Sequence, residues 1–512
     1  MIHASINRLT DPLRATPDRV FIISFGILLL SAATSFLVHE YGVAHHFGFP
    51  LDTGWLDIVT GRHVLRGEAV TSGSESPAYA LILGVIDLLG HGNATFVAIV
   101  AKTLSLAAFI VTGWACFRLV QRFLGDGTLG VLTVVILVSL SPALVWSGTS
   151  GLGIAWGTAM IALGFRDFAD NRHVAGTAWL GVACWFTPIA LPILLMSYSV
   201  RLRTGTLLRI AIGAAAISGW IAWRLVSGTS IMVPLETSDW LTWGANWLSL
   251  VGAARVGYVH PPLLALLVAI GVFRLRRQGL ALIAIVVVPA VVVPIIEPNP
   301  GAFGRLIFPI LPVVFGLATA GIDLIATRQS HGLLRGRRLA IALLAMYIVW
   351  VGPTLWMVRT IFAWQVENTV RAGVDVGRWI GENANHGELI ATTAPGAVGY
   401  FSQHVVIDLT RVRDIDETIM ITRPPWVAVN VSLSIPDAIR EDYEAVHTTA
   451  FRVRTSVYPP GPLVVFRRMY RAGMATTTPQ PTFTHDGRFA EKEAYLPLNR
   501  IASLATSDRS CP

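Results

Sequence analysis

Between Val20 and Val38 the chain runs for about 19 residues without an ionisable side chain, close to the 20 or so that a helix needs to cross the hydrocarbon of a bilayer. Similar runs recur along the sequence, separated by short arginine-bearing loops. Inside hydrocarbon every backbone N–H and C=O must be satisfied by the protein itself, so only helices or a closed barrel can span. The runs are continuously apolar rather than alternating, which selects helices. Composition agrees, with 53% hydrophobic and only 14% charged residues, against roughly 25% charged in soluble domains. The net charge of +8 would suit nucleic acid, but the excess arginine sits in loops between spans, where retention of basic residues on the cytoplasmic side explains it. Nucleic acid is therefore excluded as a partner. Cys116, Cys184 and Cys511 are far apart and two lie in apolar runs, so neither a disulfide framework nor a thiolate metal site is suggested.

Arginine also sets the direction of threading. Four clusters mark the cytoplasmic side: Arg8, Arg14 and Arg19 before the first run, "RLRTGTLLR" (201–209), "RLRR" (274–277) and "RQSHGLLRGRR" (328–338). Residues 1–19 are then a cytoplasmic N-terminus and the first run is a retained span, although Gly42 to Ala44 resembles a signal-peptidase site. Spans over 207–226, 259–273, 279–296, 305–325 and 339–358 fit between the clusters, which leaves 227–258, 297–304 and everything after about 359 outside. Nearer the N-terminus, "SPAYALILGVIDLLG" (76–90) is short for a crossing and reads as an interfacial helix. With spans at 94–116, 128–146 and 151–165, Arg118, Arg122, Arg166 and Arg172 all fall inside. The run 175–199 must then begin and end inside, as a short helical hairpin turning near Thr187 and Pro188, where proline lacks the donor a helix needs. The total is about eleven crossings. A second threading lets 76–90 cross and 175–199 run as one helix, but strands those four arginines outside.

The expected fold is therefore an all-α membrane bundle over 20–358, with interfacial helices in a first outer loop over 39–93. In the outer segment 227–258, Trp240, Trp243 and Trp247 share one helical face, as in a helix anchored among headgroups. From about 359 to 472 the pattern becomes a helical stretch followed by short β-rich runs and Gly-rich turns, including a late strand in "PPGPLVVFRR" (459–468). This predicts a small extracytoplasmic α/β domain. The tail, 473–512, is dominated by Thr, Pro and Ser and is expected to be poorly ordered.

The first outer loop holds an unusual density of ionisable groups. "FPLDTGWLDIVTGRHVLRG" (49–67) carries Asp52, Asp57, Arg62, His63 and Arg66. Helical spacing puts Asp57, Gly61 and Val64 on one side, with Ile58, Arg62 and Leu65 beside them. A short amphipathic helix along the membrane would carry Asp52 at its start, where the plain reading is a carboxylate that only caps free N–H groups.

The order of these elements resembles the polytopic GT-C glycosyltransferases, which transfer sugars from dolichyl- or undecaprenyl-phosphate. An apolar span, then "PLD" and a nearby Trp, then an amphipathic stretch and "SPAYALILG", is similar to the family's first outer loop. "GRLIFPILP" (304–312) resembles the start of a late span in the family, and "GAVGYFSQHVVIDLT" (396–410) a segment common in its bacterial outer domains. The resemblance implies that Asp52 is the general base, deprotonating an acceptor hydroxyl for attack on the anomeric carbon of the lipid-linked sugar. A carboxylate partly shielded from water holds a proton more readily, which suits that task. The lipid phosphate already leaves well, so a cation beside it suffices. Arg305, matching the family's arginine at the head of a span, and Lys102, near the outer end of the second span, are the candidates. A lipid-facing Lys102 would cost about 2.5 kcal/mol or more, so it should face the bundle or snorkel. Arg62, His63 and His260 are further substrate-binding candidates, with solvated or interfacial roles as the plain alternative.

Two departures from the family pattern matter. Thr53 stands where a second acid is common, so a paired-carboxylate mechanism would need Asp57, and "SPALVWSGTSGLGIAW" (141–156) has no acid. The expectation is metal-independent transfer without a cofactor, the lipid-phosphate sugar being substrate and a lipid, glycan or protein the acceptor. The setting would be a bacterial inner membrane, multi-pass. A transporter is the main rival, followed by a polysaccharide polymerase or ligase and an inactive relative. Transport usually places ionisable groups near the midplane, whereas Asp87, Lys102 and Asp323 fall near span ends.

Overall fold

The structure is a computed structural model, and it describes residues 17–68, 74, 76–125, 127–198, 205–226, 262–296, 308–327, 333–410, 412, 414–430, 435–449 and 463–469. The segments 227–258 and 297–304 expected on the outer side, including the three tryptophans, and also His260, Arg305 and the tail 473–512, lie beyond the described residues. The chain divides into two compact units, Met1–Glu367 and Asn368–Pro512.

The first unit is helical. It begins with α1 (Pro17–Ala44), α2 (Asp52–Arg66), α3 (Pro77–Leu89), α4 (Ala94–Leu124), α5 (Thr128–Ser139), α6 (Pro142–Ser150) and α7 (Ile154–Ala169). It continues through α8 (His173–Ala183), α9 (Ala190–Ser197), α10 (Thr206–Val226), α11 (Pro262–Leu275), α12 (Arg277–Ile296), α13 (Leu311–Thr327) and α14 (Leu333–Thr369). Among the described residues five helices are long and apolar enough to cross a membrane, or six if the bent pair α5 and α6 forms one span. Their outward faces are apolar: Ile22, Ile23, Ile27 and Leu30 on α1 and Val349, Trp350 and Trp356 on α14 are exposed. That is the surface a bilayer covers rather than water, so the chain is a multi-pass membrane protein.

Three details bear on the expected threading. Helix α3, at 13 residues, is one of the shorter apolar helices. The run 175–199 is broken, with α8 ending at Ala183 and α9 starting at Ala190, on either side of the expected turn. The single span expected over 128–146 is instead two helices bent by 57°. The cause is local: Pro142 brings no N–H, and the Ser141 hydroxyl accepts the Leu144 N–H at 3.3 Å and starts a new helix.

The second unit opens with a π-helical turn (Val370–Val374) and α15 (Asp375–Asn383). There follow β1 (Ile390–Thr392), α16 (Pro395–Ser402), β2 (Val406–Asp408), α17 (Ile415–Thr422), β3 (Trp426–Asn430), α18 (Asp437–Asp442), β4 (Tyr443–Thr448) and β5 (Leu463–Arg468). The strands form one sheet in the order β2-β1-β3-β5-β4. The first three are parallel, with Ile390 level with Val406 and Trp426, and β5 runs antiparallel to β3 and β4. Alternate residues feed two cores. Ile390, Trp426, Ala428 and Val465 pack with Val376, Ile380 and Val398 on one face, and Ala391, Val427, Val429 and Phe466 pack with Ile419 and Ile439 on the other. Burial on both faces explains why the central strands β3 and β5 read WVAV and LVVF without alternation. The predicted late strand is β5.

Candidate functional site

The loop between α1 and α2 is built around Phe49, which is fully buried. Its ring meets Trp55 edge-on with centroids 4.9 Å apart and lies where a Cβ on Gly54 would fall. Only glycine allows that approach, and the resulting bend delivers Asp52 to the head of α2. Asp52 is 8% exposed. It is the first helical residue, while Leu51, extended at φ −134° and ψ 149°, holds the cap position with no side-chain hydrogen bond. The N-cap expected of Asp52 is thus corrected: a residue inside the first turn is no longer in the extended backbone that a cap needs. Its carboxylate still stands at the positive end of the helix.

Helices α2 and α3 pack backbone to backbone at Gly61 and Gly84, where a Cβ on either residue would overlap the other helix. This contact is the side of α2 that also carries Asp57, four residues earlier. Asp57 is 6% exposed and accepts the Ser74 hydroxyl. The Ser74 carbonyl accepts Trp223 Nε1 at 3.1 Å, the Ser76 hydroxyl donates to the Phe186 carbonyl at 2.9 Å, and the Ala78 N–H donates to that of Trp185 at 3.1 Å. Asp57 therefore fastens the strap leading into α3, which is itself tied to α10 and to the α8–α9 break. Five residues apart on a helix, Asp52 and Asp57 point about 140° away from each other, so α2 does not present them as a pair. Arg62 faces α3, with Nε 2.8 Å from Asp87 Oδ2, and His63 Nδ1 lies 2.6 Å from Glu68.

Lys102 faces the bundle and does not snorkel. It is 5% exposed, and its Nζ lies 3.0 Å from Glu40 Oε2, which is fully buried. It also donates to the Thr149 carbonyl at 3.1 Å and sits 4.8 Å from the centre of the Phe362 ring. Glu40 in turn accepts the Gly48 N–H at 3.1 Å, so the pair anchors the root of the loop four residues before Asp52. The Thr149 carbonyl belongs to the last turn of α6, where helical carbonyls have no partner within the helix. Just beyond it, the Gly151 carbonyl accepts the Tyr79 hydroxyl at 2.9 Å and the Leu152 carbonyl accepts Ser105 at 3.3 Å. Burial pushes the Tyr79 hydroxyl well above the usual tyrosine range. Lys102, Tyr79 and Ser105, from α3 and α4, thus close the end of α6.

Through Glu40 and Gly48, Lys102 is tied to the loop that reaches Asp52 four residues later, and its other bond goes to the Thr149 carbonyl. Arg62 and His63 are on the same loop helix but are turned to acidic neighbours. His260 and Arg305 lie outside the described residues, and no cluster of three or more His, Cys, Asp or Glu able to hold a metal occurs among the described residues. Sequence reasoning missed Glu40. The available signal was Lys102 itself, because a lysine within a span needs an acid and the first span ends one turn from Glu40. It also missed Arg209. Expected as part of a cytoplasmic cluster, this arginine is 1% exposed, bonds Thr177 through Nε and donates Nη2 to the Ser197 carbonyl at 2.7 Å.

Comparison with known proteins bears on the fold. A family model described as a domain of unknown function (DUF8728) matches residues 359–458. No curated protein matches the sequence. Among solved structures, ArnT from Cupriavidus metallidurans in the apo state superposes with a TM-score of 0.50 at 13% identity, covering 86% of this chain and 97% of that one. The oligosaccharyltransferase AglB from Archaeoglobus fulgidus, in complex with an inhibitory peptide and a dolichol-phosphate, gives 0.51 at 9% identity, covering 86% of this chain and 75% of that one. At these identities the likeness is one of fold: the chain shares the fold of ArnT and AglB.

Proposed function

We propose that the protein transfers a sugar from a polyprenyl-phosphate donor to an acceptor on the extracytoplasmic face, with Asp52 as general base. The observation that carries this reading is a buried carboxylate at the head of the first outer-loop helix in a chain of this fold. In the reaction Asp52 takes the proton of the acceptor hydroxyl as its oxygen bonds to the anomeric carbon. The bond from that carbon to the phosphate oxygen breaks, and the polyprenyl phosphate leaves with the electron pair. A partly dry setting, with Asp52 8% exposed, favours such a base. The dolichol-phosphate named in the AglB complex is a carrier of the class this reading requires.

The remaining candidates take different parts. Lys102 is already neutralised by Glu40, which makes it a weak partner for phosphate and a strong positioning residue for the loop. Contact with the donor phosphate passes to Arg305, and His260 is kept as a further substrate-binding candidate. Asp57 positions the strap before α3 rather than acting as a second base, and Arg62 and His63 line the loop. One carboxylate and one cation meet the needs of this chemistry, so the mechanism includes no metal. The threading is the one with about eleven crossings, cytoplasmic N-terminus and extracytoplasmic second unit, in a bacterial inner membrane.

The test is turnover of a panel of labelled polyprenyl-phosphate sugars by membranes containing the protein. Asp52→Asn should lower turnover at least about a hundredfold, the low end for loss of a general base, with unchanged protein level. Full turnover by that variant would end the assignment, and counterflow of free substrate in liposomes would favour a carrier.

A further inference from the structure

A groove of about 610 Å³ runs along the outward side of α1 and is closed on one edge by Arg359 of α14; Ser31, Ser35, Val38, His39 and Gly42 help line it. We infer that this groove binds the phosphate of an anionic membrane phospholipid. The first argument is unmet hydrogen bonding. Arg359 donates through Nη1 to the Ser35 hydroxyl at 3.0 Å, but its Nε and the Nε2 of His39 are buried and have no hydrogen-bond partner. Buried polar groups left over in a folded chain call for a partner, and both of these belong to one groove in which no lining residue is acidic. A guanidinium with a spare N–H beside an imidazole suits a phosphate, which can accept from several donors at once.

The second argument is depth. The uncharged stretch of α1 begins after Arg19 and ends at Val38, and that of α14 begins after Arg338 and ends at Val358. Each is about the length of one hydrocarbon crossing, so His39 and Arg359 both stand at the same boundary, where lipid phosphates lie. Below them Leu30 and Val38 are exposed and offer an apolar track for an acyl chain. The site is separate from Asp52 and does not depend on the proposed transfer reaction.

Native mass spectrometry of the full-length protein in detergent tests this with phosphatidylglycerol, diacylglycerol and inorganic phosphate as separate probes. Phosphatidylglycerol should stay bound, with Arg359→Gln weakening it about tenfold, as expected for loss of a charged hydrogen bond. Wild-type retention by Arg359→Gln would overturn the site. Equal retention of diacylglycerol would show that tails alone are read, and inorganic phosphate binding as tightly as the lipid would show a free-anion site; either result overturns the assignment. Should Arg359→Gln not fold, His39→Leu takes its place, with about tenfold weakening expected from loss of one hydrogen bond to a charged group and unchanged binding refuting the inference.

Discussion

Removing Glu40 alone should cost far more than removing Glu40 and Lys102 together. In Glu40→Leu the Lys102 ammonium stays buried with the Thr149 carbonyl as its remaining hydrogen-bond partner, and the Gly48 N–H loses its acceptor. Breaking a buried pair from one side costs about 3–5 kcal/mol, and an orphaned buried N–H adds about 1–3 kcal/mol. The single variant should therefore lose about 4 kcal/mol or more. In Glu40→Leu/Lys102→Met no charge is left behind, so the deficit should shrink to about 2 kcal/mol, chiefly the two unpaired backbone groups. A double-mutant cycle on unfolding of the purified protein in detergent reads the difference. A double variant no more stable than Glu40→Leu would refute the reasoning, as would a Glu40→Leu protein as stable as wild type. Turnover separates two roles for Lys102: as a positioning residue it can be lost in the double variant with part of the activity kept, while a phosphate ligand cannot.

Further outcomes follow from the same packing. Gly61→Ala should force α2 and α3 apart, because the new methyl would overlap the Ala80 carbonyl; a loss of about 1–3 kcal/mol is expected, read as a lowered unfolding midpoint. Tyr79→Phe removes the donor to the Gly151 carbonyl and should cost about 1–2 kcal/mol in the same measurement. Asp57→Asn keeps an oxygen for Ser74, so turnover should fall less than about tenfold, whereas Asp52→Asn should lower it about a hundredfold or more. Equal losses in those two variants would favour a carboxylate pair.

Local pattern carried most of the architecture that the sequence disclosed. The first apolar helix, the break near Thr187 and Pro188 and the strand at 463–468 all depend on neighbouring residues, and all are visible in the order of apolar, proline and β-branched positions. Of the about eleven expected crossings, by contrast, only five or six are helices long and apolar enough among the described residues. The kink at Pro142 was visible in principle, yet a run of apolar residues on both sides disguised it as one span. What could not be read was partnership at a distance. Glu40 meets Lys102 only because α1 and α4 lie side by side, and Arg209 becomes a buried tie only when α8, α9 and α10 converge. For the candidate site, Asp52 was identifiable, but its position one residue inside the helix followed from the Phe49 bend, a tertiary contact.

The closure of α6 bears on how the chain is assembled. A half-length helix whose last carbonyls are bare has no stable place in hydrocarbon alone, and the side chains that finish it come from Tyr79, Lys102 and Ser105. All three precede it on the ribosome. Insertion in chain order would therefore present the interrupted segment with partners already made, and moving those earlier helices after it by circular permutation should lower the yield of folded protein.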